Sequence, residues 1–203
     1  MDLRGIIKQL NEKNIKHCFN EQFYDKNKLE FIIVGDNPGK IEYEKKRYFV
    51  GSSGRSLRSF FQNNIINKKG FDDLCCVFNK TFIHTSKTNE LINFKSENES
   101  LFNNTLIYCA EEISELSNFK NLPVLIFGKT HLKPKSIFEP FWRKINESIE
   151  KKENILVYNH PSYNNFNKEW EKYKKQYSTF TNKELLMKIG TDNTQAINNH
   201  YLK

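Results

Sequence analysis

Four short stretches bring polar, ionisable and aromatic residues together at fixed spacing. Gly35-Asp36-Asn37-Pro38-Gly39 sets a carboxylate beside an amide, between two glycines and next to a proline. Such a segment takes a tight backbone path and holds both side chains with little freedom. Taken singly, it is also ordinary turn chemistry. Arg47 to Leu57, RYFVGSSGRSL, runs an aromatic pair into a Gly-x-x-Gly turn and then a helix start. Backbone N–H groups at a helix N-terminus suit a phosphate, and an aromatic ring there can stack on a base. The plainer alternative is a helix cap with Phe49 in the core. Asn79 closes an apolar run, and its amide offers one donor face and one acceptor face. That matches the O4 acceptor and N3–H donor of uracil, although in a chain with 26 asparagines a turn residue is the default. In Asn159-His160-Pro161-Ser162-Tyr163, a histidine held by a following proline is a candidate electrophile, or a hydrogen-bonded turn residue. His84 follows Asn79 closely and is a weaker second histidine.

Periodicity supplies the framework for these residues. Leu29–Gly35, Leu74–Asn79, Leu122–Gly128 and Ile155–Tyr158 are short apolar runs that predict buried strands. Between them lie stretches with helical spacing: 54–67, 97–118 and 134–150, with Pro134 near a helix start. An opening helix at 3–16 and closing helices at 167–177 and 182–189 complete the reading. Strands separated by helices predict βαβ units: an α/β three-layer sandwich around a central four-stranded parallel sheet. Ligands of such sheets collect at the carboxyl ends of the strands, which puts weight on Gly35 to Gly39, Asn79 onward, Gly128 onward and Asn159 to Tyr163. Residues 87–98 read as a polar, mobile connection. A single domain is expected over 1–190, with 191–203 a weakly ordered tail.

Composition narrows the class. With 203 residues and 37% hydrophobic content, including 17 Phe and 9 Tyr, the chain can bury a sizeable core. No apolar run reaches the length of a membrane span, and the N-terminus lacks a secretory signal. The four cysteines, Cys18, Cys75, Cys76 and Cys109, show no CxxC pair and no zinc spacing. They read as reduced and buried, which points to a cytoplasmic protein, nucleoid-associated if the host is bacterial. The net charge of +8 favours a polyanionic partner, although 27 Lys and 26 Asn also look like the product of an AT-rich genome. Arg47, Arg55 and Arg58, three of the five arginines, cluster within twelve residues.

In chain order the motifs read GDNPG, RYFVGSSGR, Asn at the second strand end, a glycine-bearing third strand, and HPS. This order resembles the uracil-DNA glycosylase superfamily over about residues 29–166. RYFVGSSGRSL is similar to the segment of the iron–sulfur branch. Asn37 is similar to the mismatch-specific and single-strand-selective branches. The resemblance implies hydrolysis of the N-glycosidic bond of uracil flipped out of DNA, leaving an abasic site. Asn37 would orient the attacking water. Asp36 could assist the water or the sugar cation, and the two stay unranked apart from a preference for Asn37. His160 would stabilise the leaving base, Phe49 would stack on it and Asn79 would read its edge, with Gly35 and Gly39 bordering it. Ser52, Ser53, Arg55 and Ser162 would bind DNA. Tyr163, Asn164 and Asn165 would lie on the loop that fills the vacated stack.

The chain departs from the pattern in three places. Gly39 stands where some relatives carry a Tyr that excludes the thymine methyl, which puts discrimination against 5-substituted uracils in doubt. Only Cys109 falls near a cluster-ligand place, with Ile83 at another and Cys18 unpaired, so no iron–sulfur cluster, metal or other cofactor is expected. HPSY replaces the HPSP-type loop. The expected partner is uracil-containing DNA, bound by a monomer with no membrane contact. The alternatives are a glycosylase for another deaminated or 5-substituted base, a non-catalytic DNA-binding relative, or a domain binding a small nucleotide.

Overall fold

The computed structural model describes residues 2–66, 70–88 and 90–202. Strands β1 (Phe31–Gly35), β2 (Cys75–Asn79), β3 (Val124–Phe127) and β4 (Ile155–Tyr158) form one all-parallel sheet in the order β2-β1-β3-β4. The strands are apolar along their length because helices cover both faces, which removes any polar alternation. The expected sandwich and parallel sheet are therefore present, with β4 at the predicted bounds and the other strands one to three residues shorter.

Helices α1 (Leu3–Glu12), α2 (Lys40–Lys45), α3 (Ser52–Asn64) and α4 (Phe71–Leu74) precede β2. Then come α5 (Glu90–Glu97), α6 (Glu99–Lys120), α7 (Glu139–Ser148), α8 (Asn165–Gln176) and α9 (Asn182–Tyr201). Ile32, Val34, Val124 and Ile126 point to one face, where α1, α6 and α7 pack Leu10, Phe102, Ile113 and Trp142 against them. Phe31, Ile33, Leu125 and Leu156 point to the other, against Phe61 of α3, Trp170 of α8 and Leu186 of α9. The predicted helix at 54–67 starts earlier, at Ser52, and its last residue, Asn67, lies outside the described residues.

Three expectations need correction. Residues 87–98 are not a loose connection: α5 occupies Glu90–Glu97 and buries Leu91. Asn98, at φ −140° and ψ 43°, separates it from α6, which holds the predicted helix at 97–118 as Glu99–Lys120. Pro134 does not open a helix; α7 starts at Glu139, with Pro140 in its first turn. The stretch from 191 onward is not a loose tail, because α9 continues to Tyr201. This helix crosses the free edge of β4, with Leu186 buried on one face of the sheet and Ile197 on the other. On the way, the Thr194 hydroxyl donates to the Ile155 carbonyl at 2.9 Å and Asn193 Nδ2 donates to the Val157 carbonyl at 3.1 Å. Two edge-strand acceptors are thereby satisfied and the edge is closed to other strands. Among the described residues, no helix is long and apolar enough to cross a membrane.

Truncation after Gly190 removes Ile197 and both edge contacts. It should lower unfolding free energy by roughly 3–5 kcal/mol, read as a lower midpoint in urea; an unchanged midpoint would contradict this role for α9.

Candidate active site

The order β2-β1-β3-β4 puts the switch point between β1 and β3, and the residues following the strands meet there. Gly35 pairs with Asn79, and Phe127 with Tyr158, so the carboxyl ends are level. Asp36 and Lys80 come next. Lys80 is fully buried; its Nζ donates to Asp36 Oδ1 and to the Phe127 carbonyl, both at 2.5 Å. Burial pulls the Lys80 pKa below the usual lysine value, and Asp36 opposes that shift. Gly128 has φ +97°, and a Cβ there would meet Asp36 Oδ1 at 2.5 Å. Only glycine suits both that backbone and that contact. Sequence reasoning missed Lys80; its one signal was its place directly after an apolar strand.

Above this pair lies an open cavity of about 580 Å³. Phe49 and Asn79 meet over Gly35, where a Cβ would come within 2.4 Å of Asn79 Oδ1 and 2.5 Å of the Phe49 ring. Phe49 is 5% exposed with φ +54°, a strained conformation for a bulky residue. Gly54 lets α3 press against the Phe49 carbonyl, to which Arg58 Nε donates at 3.0 Å. Asn79 is 3% exposed, and its Nδ2 has no partner among the described residues. Ser52 and Ser53 line the cavity at the start of α3, where no side chain caps the backbone N–H groups. Glu42 also lines it. Its Oε2 accepts from Gly39 N at 2.8 Å, and its carboxylate accepts from the backbone of Phe49 and Val50. It thus staples the first motif to the second. Burial raises its pKa.

Asn37 lies on the cavity wall with its amide engaged: Nδ2 donates to Thr85 Oγ1 at 2.8 Å and Oδ1 accepts from Thr88 Oγ1 at 3.2 Å. His160 and Ser162 form the opposite rim with Tyr163, which is 88% exposed at φ +54°. The Ser162 backbone N–H donates to His160 Nδ1 at 3.1 Å, and the Ser162 Oγ lies 2.7 Å from the same atom. Nδ1 is therefore the acceptor, and the neutral ring carries its proton on Nε2. Burial lowers the His160 pKa below 6.5; Lys80 and His131 act in the same direction and Asp36 against it. Glu169 of α8 anchors this loop by accepting from the Asn159 backbone at 3.3 Å and from Lys129 at 2.8 Å.

Some predicted site residues fall elsewhere. Arg55 does not line the cavity; its guanidinium donates to the Val50 carbonyl at 3.2 Å. Asn164 faces a separate groove along α8 with Lys168, Lys172 and Lys175. The arginine cluster is largely internal: Arg47 and Arg58 both pair with Asp72. His84 is a support, donating through Nδ1 to the Pro38 carbonyl at 2.8 Å and stacking on Tyr43. All four cysteines are free and buried, and burial pushes the Cys18 and Cys76 thiols up to about 12. Among the described residues, no three of His, Cys, Asp and Glu converge as metal ligands, so the side chains present do not fit a four-thiolate cluster.

A parallel α/β sheet with an open cavity at its switch point defines a ligand-binding α/β class. The profile of the Uracil DNA glycosylase superfamily matches residues 21–185, well over half of the chain. The chain belongs to that superfamily, which implies a glycosylase-type hydrolase with a DNA substrate. No curated protein matches the sequence.

Two outcomes are expected from the site electrostatics. Lys80→Met strands the Asp36 carboxylate and should cost about 3–5 kcal/mol of stability, most of it recovered in Lys80→Met/Asp36→Asn; chemical denaturation of both variants checks this. In an NMR titration the His160 imidazole should keep its neutral form as pH falls through 6.5, because desolvation disfavours the cation. Ser162→Ala, which removes one donor from Nδ1, should move that titration upward. A titration at or above 6.5 in the unaltered protein contradicts the assignment.

Proposed function

We propose that the chain hydrolyses the N-glycosidic bond of uracil in DNA and leaves an abasic site. The observation that carries this reading is the meeting of Phe49, Asn79, Asn37 and His160, which are far apart in the chain, around one cavity. The target base leaves the stack, at a cost of a few kcal/mol, and enters between Phe49 and the strand ends. The unpartnered Asn79 Nδ2 donates to uracil O4 while Oδ1 accepts from N3–H. Cytosine presents a donor and an acceptor in the reverse order and is rejected. The C1′–N1 bond then breaks with its electron pair left on N1, and charge spreads to O2. The neutral His160 donates from Nε2–H to that oxygen. A water held by Asn37 bonds to C1′ and gives its proton to solvent. An amide is a poor base, which suffices where bond breaking runs ahead of attack. Asp36 is bound to Lys80 and acts as a fixed negative charge beneath the sugar cation rather than as a base. The N–H groups at Ser52 and Ser53 and the Ser162 hydroxyl hold flanking phosphates, and Tyr163 fills the vacated stack.

A second reading concerns the base. A Cβ at Gly39 would find its nearest neighbour, Glu42 Oε2, at 3.7 Å, so that wall of the cavity is open. The open wall favours tolerance of 5-substituted uracils.

Single-turnover incision of a panel of single-lesion oligonucleotides, followed by alkali, tests both readings. Uracil should be cleaved without added metal, and 5-substituted uracils with it. Gly39→Tyr should suppress the latter selectively. His160→Ala should lower the rate by about 10²–10³, and Asn37→Ala by a comparable factor. Wild-type rates in both variants would refute the catalytic assignment, and binding without abasic product would leave a non-catalytic DNA-binding relative.

A further inference from the structure

We propose that Thr85 and Thr88 are positioning residues that select one of the two orientations of the Asn37 amide. The inference rests on the reading of Asn37 as the group that holds the attacking water. Three hydrogen bonds carry it. Thr88 Oγ1 donates to Asn37 Oδ1 at 3.2 Å, Asn37 Nδ2 donates to Thr85 Oγ1 at 2.8 Å, and Thr85 Oγ1 donates to the Lys87 carbonyl at 2.9 Å. A hydroxyl has a single proton. Because Thr85 spends its proton on Lys87, it can only accept from Asn37. Rotating the amide by half a turn would set Oδ1 against that oxygen, which has no proton left to give, and would require the Thr88 hydroxyl to turn from donor to acceptor. The Thr85 bond would be lost, so the network favours the observed orientation.

The orientation decides the chemistry of the water. Through Oδ1, which keeps a second lone pair, the amide accepts a water O–H and leaves a water lone pair free for C1′. Through Nδ2 it would donate to that lone pair and blunt the nucleophile. The segment that does the selecting is itself anchored. Ser86 N donates to Glu90 Oε2 at 3.0 Å, Leu91 N donates to the Thr88 carbonyl at 3.1 Å, and Leu91 is fully buried. The segment before α5 thus presents both hydroxyls to Asn37 from a support anchored on that helix, and Thr85, Ser86, Lys87 and Thr88 all border the cavity. Both threonines are only partly buried, so loss of either hydroxyl is compatible with folding.

The test is the single-turnover rate and apparent KM on the best substrate of the panel for Thr88→Val, Thr85→Val and Thr88→Ser, each alone and combined with Asn37→Ala. The two valine variants should lower the rate about tenfold or more, the loss expected for one hydrogen bond made to the reacting arrangement, with KM within about twofold. Thr88→Ser keeps the donor and should restore most of the rate. In the Asn37→Ala background, Thr88→Val should have no further effect. Wild-type rates in both valine variants overturn the proposal. So does an equal loss with and without Asn37, which marks a structural role, or failure of Thr88→Ser to rescue. If Asn37→Ala alone is as fast as the wild type, the reading of Asn37 falls first and the proposal with it, a pattern distinct from the others.

Discussion

A lysine ammonium with no access to water sits beneath the cavity, and the geometry above depends on how its charge is met. Burial of such a group costs several kcal/mol unless it is paired and hydrogen-bonded. Lys80 obtains both from Asp36 and the Phe127 carbonyl, and lies 5.0 Å from the centre of the Phe138 ring. These partners follow or end three different strands, so the pair cross-links β2, β1 and β3 at the carboxyl edge of the sheet. Asp36 cannot move without stranding the ammonium, and Asn37 is its neighbour in the chain. The same charges reach His160 with opposite signs, Asp36 favouring the cation and Lys80 opposing it, and burial is what keeps the ring neutral. One interaction thus places the amide, while desolvation sets the protonation of the imidazole.

The loops around the cavity have no regular structure to hold them, and carboxylates replace it. Glu42 joins Gly39 to Phe49 and Val50, Glu169 joins Asn159 to Lys129, and Asp72 joins Arg47 to Arg58. Glu169 and Asp72 accept donors from segments distant along the chain, Glu42 closes a shorter loop, and ionised acceptors make the stronger hydrogen bonds. Preorganised donors and a fixed water site require this rigidity, because their contribution depends on not having to rearrange during the reaction. The strained backbone at Phe49 and Tyr163 marks the two places where an aromatic ring is presented against local preference.

Local chemistry made some of this legible. Strand β4 stands at the bounds its apolar run predicts, because a strand covered on both faces reads as an uninterrupted hydrophobic segment. Three of the motif positions, at Gly35, Asn79 and Asn159, were legible for a related reason: each lies at or directly after a strand end, and a parallel sheet gathers its strand ends along one edge. Helix bounds were less so. Helix α5 forms where the sequence reads as a polar connection, and α9 runs past Ile189 through polar residues that spacing assigns to solvent. Asn193 and Thr194 are polar because they satisfy the carbonyls of β4, a use visible only once the helix is laid across the edge. The arginine cluster misled in the same way, since Asp72 claims two of its guanidiniums.

The architecture and the types of group at each strand end are written in the chain alone, since both arise from hydrophobic runs and short-range turn chemistry. The bonding of two of these groups is set only in three dimensions: Lys80 to Asp36 and the threonines to Asn37. Hydrogen bonds and ion pairs are short-ranged and directional, and their partners here lie up to several tens of residues away, so no local pattern encodes them. They exist only where folding has brought the segments into contact and excluded water from between them.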